Sequence, residues 1–306
     1  QGMGKAAFPL IPVAPYSRYG AKRTPIYQNT YTHAVARSLK DHHFNAIVAD
    51  PTFNDKVIDI FQSYGIAVIT RGSVSIQHPD VMAALMSDEP KMDEIEKLKQ
   101  GYAELGRTTN KPLVTCMVGE GIGLDDTIAK WELLQPAVRG FRWYGVKKSY
   151  YGILHQLCYK GVLRFSDVLN VAERSAQSPY WVILPSFGSR DHEGYFQNPS
   201  PEEMRGMIHL SLAYGARGLL FYTLQTEKKW AAFIDGVTLQ PCDGKYDAAS
   251  EAAGLVEKHA ALLASLRCGG FAVRNSNWLR VEAVPRRTED GKAYIYVVNK
   301  DAKADA

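Results

Sequence analysis

Eight short apolar runs, separated mostly by single amphipathic segments, constrain this chain more than any other feature. The runs lie at 8–14, 46–49, 66–70, 81–86, 113–118, 140–144, 181–184 and 218–223. Each is strand-sized, and apolar side chains between them recur at helical spacing over 31–43, 54–64, 91–105, 125–134, 165–176, 200–215 and 247–266. Asn54 is placed to cap the second helix, with Val57, Ile58 and Phe61 on one face and Gly65 as its stop. Ser200-Pro201-Glu202-Glu203 is a helix start: Ser at the cap, Pro at the first position, Glu three residues after Ser. Ile95, Leu98, Tyr102 and Leu105 share a face that Gly106 is expected to close. Only ten residues separate Thr70 from Val81, so the third helix is expected to be short or missing.

Alternating β and α units predict a parallel sheet. Eight of them within about 265 residues fit a closed (β/α)8 barrel better than an open doubly wound sheet, which is the alternative. The texture changes after Leu266, where Cys268-Gly269-Gly270 breaks the helix pattern. Segments 278–284 and 293–299 then read as two strands joined across Glu289-Asp290-Gly291, a hairpin signal. The division expected is a barrel over 1–266 and a C-terminal β segment over 267–306. That segment is either a short sheet docked on the barrel or the opening strands of a truncated β-sandwich, which would make the chain a fragment.

Composition excludes several classes. An apolar share of 46% against 22% charged residues is not that of a disordered chain. No run approaches the roughly 18 apolar residues of a membrane span. The net charge of +4 is spread evenly without a Lys/Arg block, so neither nucleic acid nor an anionic membrane is an expected partner. The four cysteines form no Cys-x-x-Cys pair. Cys116 reads as a buried thiol, and Cys242 and Cys268 are open to pairing only in an exported protein. Gly119-Glu120-Gly121-Ile122-Gly123 lacks the third glycine of a dinucleotide loop at the right place. No phosphate loop, Gly-x-Ser-x-Gly elbow or His-Glu-x-x-His motif appears, and His42-His43 reads as a helix end. No metal or cofactor is expected.

In a barrel of this kind the active site lies at the C-terminal ends of the strands. The side chains just after the apolar runs are Arg18, Asp50, Arg71, Asp88, Glu89, Glu120, Lys147, Lys148, Arg190, Asp191, His192, Glu193 and Glu227. Carboxylates converging on one mouth are the equipment of glycosidic-bond hydrolysis. Aromatic rings such as Tyr150 and Trp230, which follow strand ends in polar surroundings, suit the faces of sugars. The basic residues Arg18, Arg71, Lys147, Lys148 and Arg190 hint at an acidic or sulfated sugar; they are equally placed to pair with Asp50 and Asp88.

One frame is more specific. His78-Pro79 and the run 81–86 lead into Ser87-Asp88-Glu89-Pro90. This stretch resembles the strand-four region of the clan-A type of glycoside hydrolase TIM barrels, in which an apolar run leads into Asn-Glu-Pro or Asp-Glu-Pro. Phe8-Pro9-Leu10-Ile11, Phe44-Asn45-Ala46-Ile47-Val48 and Tyr180-Trp181-Val182-Ile183-Leu184-Pro185 resemble the first, second and seventh strands. The stretch from Ser200 to Tyr222 resembles the seventh helix and eighth strand of uncharacterised glycosidase-like barrels, and Tyr296-Val297-Val298-Asn299 resembles the start of the β-sandwich that often follows.

The resemblance implies a glycoside hydrolase acting on an oligo- or polysaccharide, with Glu89 as general acid/base. It implies an extracellular or periplasmic place, although no signal peptide is read at Gln1. The family's nucleophile is a Glu at the end of strand seven, and Trp181 to Gly188 contains no acid. Glu120 and Glu227 are therefore the candidates for the second carboxylate, and Asp50, Asp88, Tyr150, Trp230 and Arg18 for substrate binding. Two readings stand beside this one: a catalytically silent barrel that binds carbohydrate or scaffolds other domains, and a lyase or aldolase using Lys147 or Lys148.

Overall fold

The computed structural model describes residues 13–16, 29–49, 53–72, 75–118, 124–143, 165–174, 178–189, 198–226, 230–270, 273–274 and 281–300. The barrel elements are β1 (Val13–Pro15), α1 (Asn29–Asp41), β2 (Ala46–Val48), α2 (Asp55–Ser63), β3 (Ala67–Arg71), β4 (Val81–Asp88), α3 (Ile95–Thr108), β5 (Leu113–Val118), α4 (Leu124–Leu134), β6 (Val138–Arg142), α5 (Phe165–Arg174), β7 (Tyr180–Pro185), α6 (Pro201–Ala213), β8 (Leu219–Tyr222) and α7 (Lys245–Ser265). The eight strands run parallel in the order β1-β8-β7-β6-β5-β4-β3-β2. A bridge between Tyr16 and Val48 joins the two ends of that order. The expected (β/α)8 barrel is therefore the fold.

The helix signals act locally as expected. The Asn54 side chain accepts the Val57 N–H at 3.2 Å. Ser200 Oγ accepts the Glu203 N–H at 3.1 Å while the Glu203 carboxylate accepts the Ser200 N–H at 2.9 Å, a reciprocal cap. Two expectations shift. α3 runs past Gly106 to Thr108 although these last residues are exposed; the half-buried Tyr102 and Leu105 pack on Ile76, Ala84 and Leu113 just before them. β6 starts at Val138, two residues before the run that marked it, since Val138 pairs with Val114 and Arg139 with Thr115. The third helix is absent among the described residues. Turns over 75–80 take its place, and Ile76 is buried there against Ala84 and Leu113.

The strand period of two divides the core. Outward residues meet the helices in one cluster. Inward residues fill the barrel: Ala14 and Tyr16, Ala46 and Val48, Ala67 and Ile69, Ala83 and Leu85, Val114 and Cys116, Val138, Trp181 and Ile183, Leu220 and Tyr222. Most of these are small because Trp181 is among them and fully buried. Gly218 accommodates its ring, since a Cβ there would lie 2.5 Å from the indole.

After Ser265 the chain forms a small antiparallel sheet. β11 (Val281–Arg287) pairs with β12 (Ala293–Asn299) and with the two-residue strands β9 (Arg267–Cys268) and β10 (Val273–Arg274). The hairpin turns over 288–292, as Asp290-Gly291 predicts. The sheet packs on the barrel through buried polar groups. Arg286, 1% exposed, is ion-paired with Glu173 of α5. Glu282 accepts from Lys300 at 2.9 Å and from the Tyr214 hydroxyl at the end of α6. Tyr296 meets His209 Nδ1 at 2.9 Å. Cys242 and Cys268 are free thiols, so the pairing left open for them is not made.

Gly215 holds this junction. Its φ is +84°, and a Cβ would fall 2.6 Å from Arg286 Nη2 and 2.7 Å from Glu173 Oε1. Gly65 has a similar φ of +72° with open space around it. Gly65→Ala should cost about 1–2 kcal/mol, the left-handed penalty alone. Gly215→Ala should cost about 3–5 kcal/mol, because it also disrupts a buried ion pair. Urea unfolding of the two variants measures the difference.

Burial, and then the Arg205 charge, hold the His209 pKa below the usual histidine value. The unfolded chain therefore binds a proton there that the folded chain refuses. The contribution to stability is complete above the unfolded pKa, about 6.5, and is lost as pH falls below it. His209→Gln should flatten the dependence of Tm on pH between 7 and 5 relative to the parent, as read by thermal melts.

Candidate functional site

Glu89 is the first residue beyond β4. Its N–H donates to the Cys116 carbonyl of β5 at 2.9 Å. Its φ of +60° is left-handed, uncommon for a residue with a side chain and concentrated at functional positions. The carboxylate forms an ion pair with the guanidinium of Arg142 at the end of β6. β4 and β6 are not neighbours, because β5 lies between them. A side-chain pair that spans β5 from two strand ends lies over the barrel mouth. Both groups reach solvent, with side-chain exposures of 32% for Glu89 and 26% for Arg142.

The alternation that builds the interior also aims Arg142. Val138 faces the barrel core, and Arg142 follows it by four residues on the same side of the strand. Gly140 lies between them, where a Cβ would sit 3.2 Å from the Cys116 Cα. The same count applies to β3: Ala67 and Ile69 face inward, and so does Arg71, its last residue. Arg71 is half-buried and has no ion-pair or hydrogen-bond partner among the described residues.

Aromatic rings pack just beneath the described strand ends. Tyr16 and Tyr222 meet edge to face at 5.6 Å, and Phe187 and Tyr222 at 5.4 Å. The Tyr16 carbonyl accepts from Thr223 Oγ1 at 3.0 Å and from the Leu224 N–H at 2.9 Å, which fixes the first and eighth strand ends to each other. After β7, Ser186 Oγ donates to the Thr223 carbonyl at 2.8 Å and Phe187 is buried. Among the described side chains directly at the strand ends, Glu89 is the one carboxylate.

The other sequence candidates divide into two groups. Asp88 is the last residue of β4, its backbone in register with Cys116. Trp230 belongs to a two-residue ribbon, Trp230–Ala231, antiparallel to Gly188–Ser189 beyond β7. That pairing sets the segment after β8 beside the mouth. Arg18, Asp50, Glu120, Tyr150 and Glu227 lie outside the described residues, as do Lys147, Lys148 and Arg190–Glu193. Arg142 is the functional candidate that the sequence reading missed. Its signal was the spacing Val138-x-Gly140-x-Arg142 once the strand is started at Val138.

One group of metal-capable side chains comes together among the described residues, Asp59, His78 and Asp80, with ligand atoms within 4.8 Å of one another. It lies on α2 and the turn before β4, away from the strand ends. His78 Nε2 lies 3.2 Å from Asp59, and Nδ1 accepts from the Asp80 N–H at 3.3 Å. That pattern is already satisfied as a hydrogen-bonded Asp–His pair. His42 and His43 close α1, with His42 Nδ1 on the Ser38 carbonyl and His43 Nδ1 on Glu257.

No protein-family model matches the chain, and no curated protein matches it in sequence. Solved structures do match. The β-galactosidase of Halorubrum lacusprofundi superposes with a TM-score of 0.58 at 11% identity, covering 79% of this chain and 57% of that one. The β-galactosidase of Marinomonas ef1 gives 0.57 at 10% identity, covering 83% and 61%. A GH42 β-galactosidase of G. stearothermophilus gives 0.55 at 9%, covering 84% and 58%. The chain thus spans about three fifths of the length of these enzymes. It shares with them a TIM barrel, and at such identities the likeness is one of fold. No helix among the described residues is long and apolar enough to cross a membrane.

Proposed function

We propose that the chain is a glycoside hydrolase acting on an oligo- or polysaccharide at the barrel mouth, with Glu89 as its general acid/base. The observation that carries this reading is Glu89 itself, turned by a left-handed residue off the end of β4 and paired across β5 with Arg142. Tyr222, half-buried at the end of β8 on the opposite side of the ring from β4 and backed by the buried Tyr16 and Phe187, offers an aromatic ring of the kind that packs on sugar faces. In the step proposed, the bond from the anomeric carbon to the leaving oxygen breaks. That oxygen takes the Glu89 proton, and a water oxygen attacks the anomeric carbon after losing a proton to a second carboxylate. Glu120 and Glu227 are the candidates for that base. An inverting enzyme places its carboxyls about 6.5–9.5 Å apart, a looser demand than the roughly 5–5.5 Å of a nucleophile. This suits a barrel whose seventh strand ends at Pro185 and is followed by Ser186-Phe187. An extracellular or periplasmic place goes with this reading.

A second reading is a barrel that binds carbohydrate without turnover. It is favoured by the same strand end, where Ser186 is engaged with Thr223 and Phe187 is buried.

Glu89→Gln separates the two. On glycosides with poor leaving groups it should lower kcat by ~10²–10⁴-fold, the usual contribution of a positioned acid. On activated dinitrophenyl glycosides, which need little protonation, the loss should be smaller. Sugar binding and the far-UV spectrum should remain. Wild-type binding of glycans with no turnover of any of them would establish the second reading instead.

A further inference from the structure

We infer that the substrate carries an acidic group, and that Arg71 and Arg142 bind it inside the barrel mouth. This rests on the proposed hydrolase reading and names its substrate class. Both arginines are the last residues of their strands, and both follow inward-facing residues at strand spacing. β3 adjoins β4 on one side and β6 lies beyond β5 on the other, so Arg71 and Arg142 flank the strand end that carries Glu89. Glu89 offsets one of the two charges. Arg71 has no described partner to offset the other. The described strand ends therefore carry one guanidinium, that of Arg71, half-buried and without a described partner, together with the Glu89–Arg142 pair. A guanidinium presents a planar fork of donors that fits a carboxylate or a sulfate ester, and gains little from a neutral sugar hydroxyl.

The pairing of Arg142 gives the acidic group a second effect. Glu89 cannot donate a proton while its carboxylate is held by Arg142. An anionic substituent that takes Arg142 for itself releases the Glu89 carboxylate, which can then take a proton from solvent and pass it to the scissile oxygen. Binding of the correct substrate and freeing of the acid are then one event, and a neutral sugar leaves the pair in place. Arg71, with no pair to give up, is the primary anchor, and Arg142 is the positioning residue whose exchange of partner matters.

The test uses matched aryl glycosides in the gluco and galacto series that differ only at C6: hydroxymethyl, carboxylate or sulfate ester. The acidic members should be turned over with kcat/KM about 10–100-fold above the neutral ones, the range expected of charge-assisted hydrogen bonds. The carboxylate and sulfate arms identify which source is used. Arg71→Gln should collapse that ratio chiefly through KM, with Arg71→Lys restoring part of it. Lys292→Gln, on the exposed hairpin, controls for bulk charge and should leave the ratio alone. Neutral glycosides turned over as well as acidic ones would overturn the inference and leave the hydrolase reading standing. No turnover, with calorimetric binding of oligogalacturonate or a sulfated oligosaccharide that Arg71→Gln abolishes, would keep the inference and overturn hydrolysis. Neither turnover nor such binding would overturn both.

Discussion

Trp181 fills the barrel, and the interior is sized around it. A fully buried indole on one strand is accommodated by inward alanines on the first four strands and by Gly218, which abuts the ring. A filled interior is the ordinary condition of such barrels, which are packed cores and not pores. The consequence for the site is a firm floor. Side chains in the layer above have nowhere to go but toward the mouth, and that layer contains Tyr16, Arg71, Arg142, Phe187 and Tyr222. The chemistry proposed for Glu89 depends on this layer being fixed, because strand ends anchored to a packed core hold their side chains better than loops do.

Much of the architecture was legible in the amino-acid sequence because the signals were local. Asn54 and Ser200 announce helix starts through their own side chains, and ten residues between Thr70 and Val81 leave no space for a helix and its connections. Gly106 misled because a glycine's helix-breaking cost is about 1 kcal/mol, which packing by Tyr102 and Leu105 outweighs. Arg142 was hidden for a different reason. Which face of a strand a residue occupies depends on register, and the register of β6 is set by pairing with Val114 and Thr115, distant in sequence. Glu89 was legible as a residue, since the Asp-Glu-Pro frame marks it. Its partner was not, since the pair spans an intervening strand.

The C-terminal sheet joins the barrel in an unusual manner for a packed junction. Its buried contacts include two ion pairs, Arg286 with Glu173 and Lys300 with Glu282, and a tyrosine hydroxyl on the second. Buried charges contribute little net stability, because desolvation offsets their attraction, but misplacing one is costly. Such a junction therefore discriminates between docked geometries more than it strengthens the right one. The apolar residues that it does leave in solvent, Ile295 and Val297, lie on β12 and away from the charged contacts.

The missing third helix makes the barrel wall uneven. Elsewhere a helix face of several apolar residues covers the outside of each strand pair. Between β3 and β4 the described cover is the turn over 75–80, with one inserted side chain, Ile76. A ring has no natural weak point when its parts are equal. Here the ring has a seam, and the seam adjoins β3, which ends in Arg71, and β4, which leads directly into Glu89. With fewer apolar contacts outside it, that seam is the part of the wall where backbone amides should exchange with solvent first.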